Sequence, residues 1–187
     1  MRRANNSDIP FLVSESDKVF GKGYMTEDSV RDMIEGPEHY LYVGDRDGQP
    51  VVALYLRYEP DEVVCEETGV TPEELFEKSG GGKILHSKFM FVREDVQKMG
   101  IAQPFLGEVI DHVASEHPEY TLVYGVLWEY NGNVPVQKCC ERNGYTFWKR
   151  LHQPYYKDED YYCIICKGRC KCDGLLYIKS INREEKQ

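Results

Sequence analysis

Residues 84–102 read ILHSKFMFV, then REDV, then QKMGIA, and they carry the chain from a strand into a helix. The first nine residues are rich in β-branched and aromatic side chains, which predicts a buried strand. Beyond Ala102 the apolar residues recur at three- and four-residue spacing, which predicts a helix with one buried stripe. The stripe consists of Phe105, Leu106, Val109, Ile110 and Val113. The segment QKMGIA therefore lies at the junction.

The junction between this strand and this helix has the chemistry of an anion site. The first backbone N–H groups of a helix have no partner within it, and the helix dipole places partial positive charge there. Gly100 has no side chain, so a ligand can approach the backbone closely. We therefore expect the junction to bind a phosphate or pyrophosphate group.

Two segments of the chain resemble motifs of the GNAT superfamily of acyl-CoA-dependent N-acetyltransferases. Residues 97–102 fit the pattern Q/R-x-x-G-x-G/A, and Val92 fits the apolar residue that ends the family's central strand. A second segment, residues 133–145, matches at Asn133, Val136, Gly144 and Tyr145. Cys140 stands where the family usually has Tyr. The resemblance extends roughly from residue 40 to residue 167.

The resemblance implies a mixed α/β fold with a central, mostly antiparallel sheet flanked by helices. The sheet is expected to be parallel only at a splayed central pair, formed by residues 84–92 and a second apolar strand at 121–127. The chain of 187 residues suits a single domain over residues 1–187. We interpret the acidic insertion at 59–83 as solvated decoration, with a functional loop as the alternative.

Local patterns predict the remaining elements. Thr26 is a predicted N-cap, and Thr71 begins a predicted capping box with Glu74. A turn at 45–48 predicts a hairpin. The predicted strands are 40–43, 51–58, 145–151, 161–166 and 175–181, a short helix is predicted at 134–143, and IPFLV (9–13) is the strand-like piece of the N-terminal region.

The resemblance further implies that acetyl-CoA is the cosubstrate and that its acetyl group passes directly to an amine. The residues implied in binding it are Phe91, Val92, Gln97, Lys98, Met99, Gly100, Ile101, Ala102 and Asn133. A backbone N–H near Val92 would face the thioester carbonyl. Asn133 would hydrogen-bond the pantetheine arm, and a role as a helix N-cap is equally compatible with its position.

His86 is the candidate general base that removes a proton from the amine. It has the strand parity of Lys88, Met90 and Val92, at a position where some family members place a catalytic Glu. An imidazole with an ordinary pKa near 6.5 suits proton transfer at neutral pH. A histidine satisfied within a polar strand lining is the alternative, as is proton transfer through water oriented by Glu129 or Tyr130.

Cys140 is the candidate general acid that protonates the departing thiolate, because it occupies the usual tyrosine position and a thiol can donate a proton. A packed helix cysteine and a cysteine nucleophile are the alternatives. Tyr130, Tyr155 or Tyr156 would be the substitute donors.

Four cysteines within ten residues, Cys163, Cys166, Cys170 and Cys172, lie in a cysteine-bearing C-terminal extension at residues 163–187. Thiolates at C-x2-C spacing in a reducing compartment are typical zinc ligands. The short gap between the pairs, and a predicted strand that would place Cys163 and Cys166 on opposite faces, favour buried thiols instead. Zinc therefore stays open, and no metal ligand is assigned.

Composition restricts the partners. The formal net charge of −9 argues against nucleic-acid binding and is compatible with a cationic substrate, either a small-molecule amine or a peptide amine. No apolar run is long enough for a membrane span, and the N-terminus lacks the apolar core of a secretory signal, so a cytoplasmic location is expected. The oligomeric state stays open, a homodimer included. The rival functions are a non-catalytic acyl-CoA-binding module and a metal-stabilised interaction protein.

Overall fold

The computed structural model describes residues 1–155 and 162–182. The strands are β1 (Arg2–Arg3), β2 (His39–Arg46), β3 (Gln49–Glu59), β4 (Lys83–Val92), β5 (Tyr120–Glu129), β6 (Thr146–Leu151), β7 (Tyr162–Cys163), β8 (Gly168–Arg169) and β9 (Asp173–Ser180). The α-helices are α1 (Ile9–Val19), α2 (Glu27–Glu35), α3 (Asp61–Thr68), α4 (Pro72–Ser79), α5 (Ala102–Glu116) and α6 (Gln137–Arg142).

The main sheet has seven strands in the order β1-β2-β3-β4-β5-β9-β6. Its neighbours pair antiparallel except β4 and β5, which run parallel. This arrangement confirms the predicted mixed sheet with one parallel central pair. The β7–β8 hairpin forms a separate two-stranded sheet beside it.

Helices cover both faces of the main sheet. The buried stripe of α5, which includes Val109 and Ile110, packs with Leu54, Leu85 and Val123 in the largest core cluster. A second cluster joins α1 and α2 to β2, β3 and the end of β4. A third joins α3 and α4 to β4, β5 and β9. The predicted stripe of α5 is thus confirmed, since all five of its residues are buried.

The acidic insertion is part of this core, which corrects its interpretation as decoration. Val64 of α3 and Leu75 of α4 are almost fully buried and pack in one cluster with Ile84 and Leu122. The predicted capping box is present, because Thr71 accepts from the amide of Glu74 while Glu74 accepts from the amide of Thr71. Helix α3 was not predicted from the sequence.

A bulge in β4 changes which residues share a face. Tyr55 of β3 is opposite Phe89 and Leu56 is opposite Ser87, so Lys88 is an extra residue. As a result, Phe89 and Phe91 pack towards α1 and α2, whereas Met90 and Val92 pack towards α5. The predicted shared parity of His86, Met90 and Val92 is therefore wrong, since a bulge cannot be read from alternation.

Several predicted boundaries also differ. Residues 9–13 begin helix α1 and not a strand, since Pro10 is tolerated in the first turn and Ile9 and Leu12 are buried on one side. The helix predicted at 134–143 is confined to α6. The strand predicted at 161–166 is reduced to β7, with its first residue, and the tail from 183 onward, outside the described residues. Thr26 caps α2 as predicted.

Among the helices of the described ranges, 1–155 and 162–182, none has the length and apolar content that crossing a membrane requires.

Candidate active site

Strands β4 and β5 separate part-way along their length. Their pairing ends at His86 opposite Tyr124, while β5 continues to pair with β9 as far as Glu129. From Ser87 onward, the β4 edge that faces β5 therefore has no strand partner among the described residues. A widening gap with exposed backbone groups on one side results, and it is the splay that the sequence predicted.

The pairing of β4 with β3 determines which backbone N–H and C=O groups of β4 point into this gap. The amide of Arg93 donates to the carbonyl of Val51 at 2.8 Å, so Arg93 directs its backbone towards β3. Along an antiparallel strand, the backbone N–H and C=O groups of successive residues point to alternate sides. Those of Phe91 therefore point towards β3, and those of Met90 and Val92 point into the gap. The Val92 carbonyl confirms this direction, because it accepts from Gln97 Nε2 at 2.9 Å rather than from β3.

The glycine turn, residues 97–101, lies between the end of β4 and the first turn of α5. Gly100 has a φ of 78°, and a Cβ placed on it would meet nothing within 4 Å. Helix α5 begins without a side-chain cap, so its first amides are not occupied by a side chain. A cleft of about 440 Å³ adjoins Met99, Gly100 and Ile101. These features fit a phosphate-bearing ligand held by backbone N–H groups.

Two further residues of the turn contribute to its shape. Lys98 has a φ of 62°, the left-handed region, which helps to turn the backbone at this point. Met99 is 57% exposed, and its sulfur accepts from Arg46 Nη1 at 3.0 Å. Arg46 from β2 thereby lies at the edge of the turn, where a guanidinium suits phosphate. Sequence reasoning missed it because 53 residues separate it from Met99.

Two of the residues predicted to bind the cofactor, Phe91 and Asn133, have other contacts in the structure. The Phe91 ring stacks on Phe89 at 5.7 Å on the side of α1, so neither its side chain nor its backbone faces the gap. Asn133 exchanges backbone hydrogen bonds with Tyr130 in a tight turn after β5, and its side chain donates to the Tyr130 hydroxyl at 3.3 Å. Because α6 starts at Gln137, Asn133 is not its N-cap.

His86 lies at the apex of the gap in a buried polar cluster. Its ring stacks on Tyr124 with centroids 4.1 Å apart, and Nδ1 is 2.7 Å from the Tyr124 hydroxyl. The same nitrogen is 3.4 Å from Glu67 Oε2 and 3.5 Å from Glu59 Oε1. The side chain is 5% exposed. Glu59 and Glu67 come from the acidic insertion, which thus covers the candidate base.

The hydrogen bonds of this cluster assign the tautomer of His86. The Tyr124 hydroxyl donates to Glu67 Oε2 at 3.2 Å, because a carboxylate can only accept. Tyrosine has one hydroxyl hydrogen, so its oxygen accepts from Nδ1–H of His86. Nε2 of His86 then keeps its lone pair. The neutral imidazole is therefore arranged to accept a proton at Nε2, with two carboxylates close enough to stabilise the resulting cation.

Burial sets the protonation of these groups. It lowers the pKa of His86 to about 4, despite the opposing effect of Glu59, so the imidazole is neutral at pH 7. Burial acts to raise the pKa of Glu59, but hydrogen bonds with His86 and Arg57 outweigh it and the pKa is lowered. Arg57 contacts Glu59 at 2.5 Å, and Lys88 is 3.5 Å from Glu67. These two cations balance the two carboxylates without a metal ion.

Cys140 lies on the opposite face of the sheet from the His86 cluster. It is 7% exposed within the core beneath α5, and burial raises the pKa of its thiol to about 12. Tyr145 is beside it and is also buried. The Tyr145 hydroxyl lies next to Ser87 but forms no hydrogen bond of good geometry within the described residues. A buried hydroxyl without a hydrogen bond costs about 1–3 kcal/mol.

The sequence alone did not single out Arg57, Glu59, Glu67, Lys88, Tyr124 or Tyr145 as site residues. Tyr124 could have been found from the sequence, because the parallel pairing of the two central strands places it opposite His86. No such signal existed for Glu67, whose helix was not predicted. Tyr130 and Tyr155, the substitute donors, are not in the His86 cluster: both pack beside the four C-terminal cysteines. Tyr156 lies outside the described residues.

No protein-family model and no curated protein matches this sequence. Solved structures do match over nearly the whole chain. NAA60 from Arabidopsis thaliana, in complex with a bisubstrate analogue, aligns with a TM-score of 0.72 at 19% identity over 98% of each chain. The ribosomal-protein-alanine N-acetyltransferase from Brucella melitensis aligns with a TM-score of 0.63 at 18% identity, over 96% of this chain and 98% of its own. A spermidine N-acetyltransferase from Vibrio cholerae gives 0.64 at 11% identity over 96% and 93%.

The chain has the GNAT fold. The features common to this fold are the mixed seven-stranded sheet, the splayed parallel pair β4–β5 and the helices on both faces. The GNAT resemblance found in residues 97–102 falls at the turn between β4 and α5, where the fold places it. At identities below 20%, the likeness concerns the fold, and activity is argued below from the residues.

We predict that Gly100→Glu abolishes acetyl-CoA binding while the protein stays folded. The added carboxylate would fill the open space at the turn and repel a pyrophosphate. Gly69→Glu is the matched control, because Gly69 also has a positive φ of 63° and open space around it but lies between α3 and α4. Calorimetric titration with acetyl-CoA tests this; unchanged affinity in Gly100→Glu would contradict the assignment.

We predict that His86 makes stability depend on pH between about 6.5 and 4. In this window the unfolded state takes up a proton that the buried imidazole does not, so the free energy of unfolding falls as the pH falls. The loss amounts to about 3 kcal/mol for the shift from 6.5 to about 4. His86→Gln should remove this decline, and the exposed control His152→Gln should retain it, as measured by urea denaturation. Equal slopes in all three proteins would show that His86 is not buried neutral.

Proposed function

We propose that this protein is an N-acetyltransferase that moves an acetyl group from acetyl-CoA directly to a primary amine. The observation that carries this proposal is the gap that opens beyond His86 and Tyr124, with the glycine turn at one side and a neutral imidazole at its apex. It joins an anion site, a row of free backbone groups and a base in one place. The fold neighbours named above are acetyltransferases, which supports the same reaction.

Each part of acetyl-CoA has a counterpart in this arrangement. The pyrophosphate fits the amides of the glycine turn, with Arg46 at its edge. The pantetheine amides fit the backbone groups that Met90 and Val92 direct into the gap, where the Val92 carbonyl already accepts from Gln97 Nε2. One of these N–H groups would also stabilise the negative charge that forms on the thioester oxygen, an interaction worth about 2.7–4 kcal/mol in the transition state.

His86 would take the proton from the attacking amine. In the assigned tautomer its Nε2 carries the lone pair, Nδ1–H donates to Tyr124, and Glu59 and Glu67 lie within 3.5 Å of Nδ1 to stabilise the cation. Because burial lowers the pKa to about 4, the base stays neutral far below the 6.5 expected from the sequence. The acid limb of the rate profile should therefore lie near pH 4.

The amine reaches the gap from the end of β5. A second cleft, of about 510 Å³, opens there, and its lining includes Glu129, Tyr130 and Asp173. Arg150 also lines this cleft and pairs with both acids, so the attraction for a protonated amine comes chiefly from the net charge of −9. A peptide α-amine and a polyamine both meet this requirement, and the neighbours include a ribosomal-protein-alanine and a spermidine N-acetyltransferase.

A non-catalytic acyl-CoA-binding module is the second candidate function. The observation that favours it is Cys140, because burial raises the pKa of its thiol to about 12 and so makes it a weak acid. Such a module would keep the glycine turn and the gap while lacking efficient protonation of the departing thiolate.

A panel of amines separates the two candidates. We expect thiol release from acetyl-CoA to depend on the amine when peptides with an N-terminal alanine, spermidine and lysine are each supplied. Gly100→Glu should abolish that release, and Gly69→Glu should retain it. If acetyl-CoA binds but no amine in the panel gives thiol release above hydrolysis, the non-catalytic function is correct.

We predict that Cys140→Ala lowers kcat by roughly 10²-fold or more, with little effect on acetyl-CoA affinity, because the departing thiolate loses its proton donor. A thiol with a pKa of about 12 stays protonated, so Cys140 should give no loss of rate between pH 7 and 10. Tyr145→Phe is the matched comparison, because it removes only an unpaired hydroxyl and should preserve stability. Full kcat in Cys140→Ala together with a large loss in Tyr145→Phe would transfer the role to Tyr145.

A further inference from the structure

The four cysteines of the C-terminal extension converge, although the sequence pattern suggested otherwise. Strand β7 pairs with β8 in a short hairpin, with Cys163 opposite Gly168. Cys166 lies in the turn and not in a strand, so it is not on the face opposite to Cys163 as predicted. Cys170 and Cys172 follow β8 and return to the same point. We call these four residues the cysteine cluster.

The sulfur positions of the cysteine cluster match a tetrahedral metal site. All four Sγ atoms lie within 4.8 Å of one another. Cys172 Sγ is 3.6 Å from Cys166 Sγ and 4.0 Å from Cys163 Sγ. A zinc–sulfur bond of about 2.3 Å in tetrahedral geometry places sulfurs about 3.8 Å apart. A disulfide requires about 2.05 Å, which these separations far exceed.

The backbone around the cysteine cluster donates to its sulfurs. The Cys166 amide is 3.5 Å from Cys163 Sγ, and the Lys171 amide is 3.2 Å from Cys166 Sγ. Such donors stabilise negative charge on metal-bound thiolates. Lys167, Arg169 and Lys171 alternate with the cysteines in sequence, and their charge offsets the net −2 of a zinc ion with four thiolates.

Within the described ranges the hairpin is short, and it packs around the four cysteines. Strands β7 and β8 have two residues each, and an isolated two-stranded hairpin is at most marginally stable in water. Cys163 and Cys170 are fully buried, and among the described residues their cluster also contains Cys172, Cys166, Tyr130 and Tyr155. A metal cross-link commonly replaces a hydrophobic core in segments of this size.

We propose that Cys163, Cys166, Cys170 and Cys172 bind one Zn²⁺ in a closed, structural site. All four ligands come from the protein, so the ion has no open position for a substrate. Four thiolates in a tetrahedron select zinc or iron, and the absence of a spare ligand position makes the site structural rather than catalytic.

The zinc site would order one wall of the cleft at the end of β5. Ile165, Cys166, Lys171 and Cys172 line this cleft together with Glu129 and Tyr130. On its other side, the hairpin contacts the loop between α1 and α2, because a Cβ on Gly21 would lie 2.9 Å from Ile164 Cγ2. The claim that this wall receives the amine rests on the proposed function. The claim that the cysteines bind zinc does not.

Metal analysis of the full chain purified under reducing conditions tests the site. We expect one equivalent of zinc per chain, its loss in Cys166→Ser, and its retention in the control Cys65→Ser, where a half-buried cysteine lies on α3. Removing zinc from the wild-type protein with a chelator should lower Tm, and added Zn²⁺ should restore it. Metal-free protein with a Tm that zinc does not change, coloured protein that contains iron, or disulfides among these cysteines would each overturn the proposal.

Kinetics test the consequence separately. With an amine that is a substrate, Cys166→Ser should raise the KM for the amine while the Kd for acetyl-CoA stays at the Cys65→Ser value. Zinc content and Tm do not require any activity, so they report on the metal site even if no amine is acetylated. An unchanged KM in zinc-free Cys166→Ser would remove the link to the amine wall and leave the metal site in place.

Discussion

The end of hydrogen bonding between β4 and β5 is the constraint on which the rest of this structure depends. Backbone N–H and C=O groups inside a protein require partners, and those of β4 beyond His86 have none from β5. A ligand with peptide-like amides can supply them. The bulge at Lys88 lies along this unpaired edge, and the glycine turn that leads into α5 follows it in the chain.

Stability and chemistry meet in the acidic insertion. Its helices bury Val64 and Leu75 in the core, and this packing places Glu67 over His86. The burial that results lowers the pKa of His86 and keeps the imidazole neutral, while its hydrogen bond with Tyr124 assigns the tautomer. The same helices therefore pack against the sheet and cover His86, the base of the proposed reaction.

The glycine turn and the cleft at the end of β5 are assembled from the chain in different ways. At the glycine turn, consecutive residues of one strand–turn–helix unit form the proposed anion site. Around the cleft at the end of β5, that strand, the loop after Tyr130 and the turn of the β7–β8 hairpin come together from distant parts of the chain. The zinc ion that we propose at the cysteine cluster would cross-link this part of the chain.

The sequence by itself determined the local features: the strand at 84–92, the buried stripe of α5, the caps at Thr26 and Thr71 and the glycine turn. Each depends on residues within one or two turns of chain, and short-range patterns report them directly. Only the tertiary structure decided the bulge at Lys88, the contact of Glu67 with His86, the direction of Phe91 and the convergence of the four cysteines. These depend on pairing register and on contacts across many residues, which alternation and spacing do not encode.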